Sequence, residues 1–385
     1  MKPLRARSVS LILILFIVLV LALPTRASSE EAEVLVQIRT INLNKEPLAD
    51  VLVEAYNVTD NIENRIGVGM TNKTGWVEFH VAKDSYYSFK AFWKEAHVGS
   101  LLKQHITSNV TIDNFNCSLA HLKTVVIDEA NVPLPYVNVT LTYSYLTAKN
   151  QTASEKFTFE TEENGTIVAS NVLTNANYTI EARRHGLLFN RTLVPGLNQL
   201  LENGWAKLTI VCPTYALFVH VLDSEKLPLP GVQVEVYEWG SQVLVRSEAT
   251  NDRGSISFNG TFGKYKTRVH TYSEELKRRV VLNETVIGLT EDKMSLTIYC
   301  KISNIKPSVK VVDYFGQPIL NAVIEVERKI DQDWVKVDPP RKTDSFGVTS
   351  LPKIGGDYRI SVYVLEDLCE TRTLYLDETR VVVFK

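Results

Sequence analysis

Past residue 33 the chain alternates apolar and polar residues with period two in short runs, and turn-forming residues interrupt these about every 8 to 12 positions. Period two means strands with one face in a core and the other in water. Helical periodicity is nearly absent. The strands recur as a set with a repeat of about 90 residues, and three landmarks mark each copy.

The first landmark is a proline with apolar residues four, six and eight positions later. These are Pro47 with Val51, Val53 and Ala55; Pro133 with Val137, Val139 and Leu141; Pro228 with Val232, Val234 and Val236; and Pro318 with Ala322, Ile324 and Val326. Between them Glu54, Thr140, Glu235 and Glu325 fall on the outward phase. Five residues before each proline stands Asn42, Asp128, Asp223 or Asp313, whose short side chain bonds its own backbone and starts a turn. With the strand before it, each such turn is predicted to form an opening hairpin.

The second landmark is a threonine followed four residues later by glycine: Thr71 and Gly75, Thr161 and Gly165, Thr250 and Gly254, Thr343 and Gly347. The glycine marks a turn that needs positive φ. The third is a tyrosine opening another alternating run: Tyr87, Tyr178, Tyr265 and Tyr358. A tyrosine there buries its ring and hands its hydroxyl to a backbone group. Four modules follow, at 33–117, 118–212, 213–301 and 302–385, with short linkers or none. Modules joined so directly make a stiff rod the expectation over a flexible string.

The order of Asx, Pro-Leu, alternating valines, Thr-x-x-x-Gly and Tyr resembles the carboxypeptidase regulatory-like family, and Pro228-Leu229-Pro230-Gly231-Val232 is especially similar. The resemblance spans nearly the whole chain beyond its first residues. It implies an all-β architecture of four tandem Ig-like, prealbumin-like (transthyretin-type) sandwiches of about seven strands. In that family the module is an accessory without an active site of its own. The pattern is also similar to collagen-adhesin B-type modules, some of which crosslink a buried Lys to an Asn. Lys123 and Lys310 lie in first strands but on the outward phase, which argues against such a bond here.

The N-terminus changes the picture from fold to location. Lys2, Arg5 and Arg7 precede an apolar run from Leu11 to Leu23, then Pro24 to Ala27. Residues 1–27 read as a secretory signal peptide, with membrane attachment expected only if it stays uncleaved. The run is short for a bilayer span, and no second run of that kind follows. Eleven N-x-S/T sequons agree with export: Asn57, Asn72, Asn109, Asn116, Asn138, Asn150, Asn164, Asn177, Asn190, Asn259 and Asn283. They fall four, five, two and none in successive modules.

Composition bounds the chemistry. A formal net charge of -2 gives no basis for nucleic-acid binding. No catalytic motif, metal-ligand spacing or phosphate-binding loop is present, so no catalytic residue, metal ligand or cofactor is assigned. Asp128, Asp223 and Asp313 lie near module junctions where a calcium ion would sit, but turn formation accounts for all three. Cys117, Cys212 and Cys300 occupy matching junction positions, and junction-spanning bridges and buried thiols both remain open. Trp76, Trp93, Trp205, Trp239 and Trp334 occupy different places in the modules, as core or edge packing would put them.

These readings give a secreted or cell-surface structural or adhesive protein, a glycosylated stalk or interaction scaffold without catalysis. An extracellular carbohydrate- or ligand-binding protein and an accessory subunit of a secreted enzyme are the alternatives. The partner is then an extracellular protein or glycan, with self-association through the sequon-free fourth module.

Overall fold

In the computed structural model, which describes residues 32–385, the alternating runs are strands and the chain is all-β: four two-sheet sandwiches, eight sheets among the described residues. The signal-peptide assignment of residues 1–27 lies outside the described residues. Among those residues no helix is long and apolar enough to cross a membrane. The chain divides into two compact units. One holds the residues through Leu119 with Thr147–Gln151, and the other holds Ala120–Leu146 with Thr152–Lys385.

The first unit shows the common plan. Its strands are β1 (Glu33–Ile41), β2 (Leu52–Thr59), β3 (Ile62–Met70), β4 (Trp76–Ala82), β5 (Ser85–Trp93), β6 (Ala96–Ile106) and β7 (Val110–Asn116). They form a three-stranded sheet, β4-β1-β7, facing a four-stranded sheet, β3-β2-β5-β6. β1 pairs antiparallel with β4 and parallel with β7. Inward residues of both sheets, Val36 and Ile38 from one and Val53, Ala55 and Phe89 from the other, meet in a dry core. The other three sandwiches repeat this strand order, and the second adds a two-residue strand, Leu201–Glu202, at the edge of its first sheet.

The predicted opening hairpin is not formed. β1 and β2 lie in different sheets, and the loop between them closes on the end of β1 through a single antiparallel bridge between Ile41 and Pro47. The same single bridge recurs at Ile127–Pro133, Leu222–Pro228 and Val312–Pro318. The cause is the third residue after each proline. Asp50, Tyr136, Gly231 and Asn321 all have positive φ, between 57° and 72°. A left-handed residue there ends the ladder and throws the chain across to the opposite sheet.

Within the second unit, the buried apolar residues of the third and fourth sandwiches form one continuous cluster, from Leu217 through Leu276 and Ile305 to Phe384.

Candidate functional site

The landmarks converge on one knot per sandwich. Asn42 Oδ1 accepts the amides of Asn44 and Glu46, and Asp128, Asp223 and Asp313 do the same two and four residues on. The threonine then ties the crossover to the turn that holds the glycine. Thr250 Oγ1 accepts the Val232 amide at 3.1 Å and donates to the Leu229 carbonyl at 2.7 Å. Thr71, Thr161 and Thr343 make the same pair of bonds. This use of the hydroxyl was missed from sequence, although four threonines at one spacing from a glycine were its signal.

Gly75, Gly165, Gly254 and Gly347 all have positive φ, as expected. A Cβ on Gly254 would also lie 2.6 Å from the Val221 carbonyl oxygen, so space forbids it as well as torsion. Each landmark tyrosine is buried and donates its hydroxyl backwards: Tyr87 to the Ala82 carbonyl at 2.9 Å, Tyr265 to that of Thr261 at 2.6 Å, Tyr178 to Leu173 and Tyr358 to Ile354. These residues build the fold and leave no reactive group over.

Outside these knots, polar side chains gather at the seams of the second unit. At the second-to-third seam, Arg184 is nearly buried. Its guanidinium donates to the Phe262 carbonyl at 3.0 Å and to Thr261 Oγ1, and it pairs with Glu238. Beside it His185 Nδ1 accepts the Lys264 amide at 2.9 Å. Burial first, then the adjacent Arg184 charge, hold this imidazole below its ordinary range. Phe189 packs on Phe262 with ring centroids 5.8 Å apart.

The third-to-fourth seam is built differently. Asp223, whose Oδ1 already holds its turn, accepts Asn304 Nδ2 on Oδ2 at 2.9 Å, and Glu225 pairs with Lys306 at 3.2 Å. The Glu275 carboxylate pairs with Arg341 at 2.8 Å while its carbonyl takes the Asp338 amide at 3.2 Å. No arginine crosses this seam to the carbonyl that matches Phe262. Arg328 of the fourth sandwich itself fills that place, donating to the Gly355 carbonyl at 3.0 and 2.7 Å.

The other expected sites are scattered. No sequon asparagine is buried: Asn57, Asn138, Asn190 and Asn283 are half-buried and the rest exposed. At Asn57, Asn72, Asn164 and Asn190 the side-chain oxygen accepts the hydroxyl of the sequon threonine, or its amide. The nitrogen that a sugar would take is not used in these bonds. Asn283 is the exception, donating Nδ2 to the Tyr299 carbonyl at 2.9 Å. Cys117, Cys212 and Cys300 are buried free thiols, pushed up to about 12 by burial, and Cys369 is exposed. The possibility of junction-spanning bridges is thereby closed in favour of thiols. Lys123 and Lys310 are on the outward phase. Among the described residues no group of three or more His, Cys, Asp and Glu side chains is placed to hold a metal ion.

Of the tryptophans, Trp76 lies under Arg39, Trp334 under Arg359 and Trp205 against His121. Trp239 is 43% exposed and, with Tyr237, Gln242, Lys266 and Arg268, lines an open groove of about 620 Å³ on the third sandwich. Glu284 neutralises both cations there, at 2.7 Å from Lys266 and 2.5 Å from Arg268.

No protein-family model matches the chain, and no curated protein matches it. Solved structures do. The Bacillus anthracis TIE protein is 13% identical with a TM-score of 0.29, over 94% of this chain and 75% of that one. A streptococcal ancillary pilin is 12% identical with a TM-score of 0.27, over 69% and 98%. GBS52, the minor pilin of Streptococcus agalactiae, is 16% identical with a TM-score of 0.24, over 47% and 94%. At these values the likeness carries no argument about function.

Proposed function

We propose that this chain is a secreted or surface-held glycoprotein that acts without catalysis, as a structural or adhesive scaffold of tandem sandwiches. The observation that carries the reading is the pair of seams in the second unit. At both, one sandwich is bonded to the next through backbone carbonyls, ion pairs and apolar packing, so the second, third and fourth repeats hold a fixed spacing. The charged side chains at the seams, among them Arg184, Glu225, Glu275 and Arg341, are engaged in those bonds. Export rests on the signal-like N-terminus and the sequons, and the accessory role agrees with the resemblance to carboxypeptidase regulatory-like modules. The partner is an extracellular protein or glycan.

The test is labelling of intact native cells with a membrane-impermeant amine reagent, followed by recovery of the protein. The reading expects the labelled protein in the surface or secreted fraction. Recovery only after lysis, unlabelled, would overturn it.

The groove beside Trp239 favours a second reading, a carbohydrate-binding module. An aromatic platform with an amide and paired charges at its rim suits a neutral sugar ring. Binding on a glycan array that disappears with Trp239→Ala supports this reading; an array without signal removes it.

A further inference from the structure

In the second unit two features at one end of a sandwich reach the next: the crossover loop before the landmark proline and the turn between the fifth and sixth strands. The third sandwich uses both, Asp223 and Glu225 from the loop and Glu275 from the turn. The second uses Arg184 and His185 at its turn.

The same two features recur in the fourth sandwich. Tyr314 and Phe315 stand four and three residues before Pro318, as Ser224 and Glu225 do before Pro228. Leu365 and Glu366 stand seven and eight residues after Tyr358, as His185 and Gly186 do after Tyr178. Both turns take positive φ at both residues, 52° and 72° in the fourth sandwich and 52° and 83° in the second. Here, however, two bonding side chains are replaced by apolar ones in water, Glu225 by Phe315 and His185 by Leu365, with Tyr314 and Leu368 near them in sequence: Tyr314 is 93% exposed, Phe315 84%, Leu365 94% and Leu368 57%. The two aromatic rings meet edge to face at 5.5 Å. Large apolar side chains clustered at such positions mark an interface.

We propose that this end of the fourth sandwich docks onto the same end of a second copy of the chain, an inference that rests on the scaffold reading above. Phe315 and Leu365 are apolar where Glu225 and His185, at the matching positions of the internal seams, are polar, so this surface matches another like itself better than the charged groups Glu238 or Lys306 that receive those side chains. A two-fold axis brings the aromatic loop of one copy against the leucine turn of the other, and the reverse contact follows by symmetry. The fourth sandwich carries no sequon, so no sugar obstructs either side. Docking onto a first sandwich is disfavoured. Asn57, a sequon, stands ten residues after Pro47, where Glu238 stands after Pro228, and a sugar there would occupy the seam.

Sedimentation equilibrium of the full chain tests this. The wild type is expected to dimerise. Leu365→Asp and Phe315→Asp are each expected to raise the dimer dissociation constant about tenfold or more, with unchanged circular dichroism and melting. Leu244→Asp, at a half-exposed apolar site on the third sandwich, leaves the constant unchanged. The proposal is overturned by a wild type that stays monomeric to about 100 μM, by both variants dimerising normally, or by Leu244→Asp weakening the dimer equally. If either aspartate variant loses its fold, serine at the same position replaces it. A monomer that is still labelled on intact cells overturns this inference alone and leaves the scaffold reading standing.

Discussion

At the scale of single residues, the knot behind each crossover decides which substitutions hurt. Thr250→Val keeps the shape of the side chain but strands the Val232 amide and the Leu229 carbonyl in the interior. Each buried unpaired group costs about 1 to 3 kcal/mol, so chemical denaturation should show the third sandwich losing about 2 to 6 kcal/mol, with Thr250→Ser largely spared. Gly254→Val combines a left-handed φ of 67° with a Cβ 2.6 Å from a backbone oxygen. It should cost more than Asp252→Val, which changes an exposed turn position. Equal losses at 252 and 254 would show the turn to be misread. The thiols give a chemical check. In the native protein near pH 8 only Cys369 should react with a disulfide reagent, and denaturant should release the other three. Four equivalents in the native state would contradict the burial of Cys117, Cys212 and Cys300. Glycine and tyrosine landmarks were legible because few residues can fill those positions. The threonine role was not, because a hydroxyl's partner depends on a segment some twenty residues away, as Thr250 and Leu229 are.

At the scale of elements, period two located the strands but not which sheet receives them. Sequence cannot easily signal the left-handed residue that separates β1 from β2, since Tyr136 and Asp50 fill a place that glycine and asparagine fill in the other two repeats. Seams were illegible for another reason: Arg184 meets Phe262 across 78 residues and Asn304 meets Asp223 across 81, and no periodicity encodes such pairs. The second-to-third seam should respond to acid. His185 is held neutral, below the ordinary value of 6.5, by burial and then Arg184. A histidine with a depressed folded pKa favours the closed seam in full above that unfolded value, and the stabilisation is lost as pH falls through it toward the folded one. A proton on Nδ1 would also face the Lys264 amide donor. Hydrogen exchange at Lys264, corrected for intrinsic rates, should therefore accelerate between pH 7 and pH 5, and His185→Gln should remove the pH dependence. Protection that is flat in the wild type would contradict this account of the seam.

At the scale of the whole molecule, the four-fold repeat was the most legible property, because it is written in spacings that survive divergence of every other residue between modules. Function was less legible, since it depends on surfaces, and surface residues follow no period. The sequons give the molecule a polarity in sequence that the structure keeps available: none of the eleven asparagines is buried, and none lies in the fourth sandwich. Glycopeptide mass spectrometry of the protein from its native source tests the central claim most directly. The account predicts a mature chain beginning at Ser28, sugars on sequons of the first three sandwiches with Asn283 the least occupied, and no modified peptide beyond residue 302. An unprocessed chain that still begins at Met1 and carries no sugar at any sequon would contradict it.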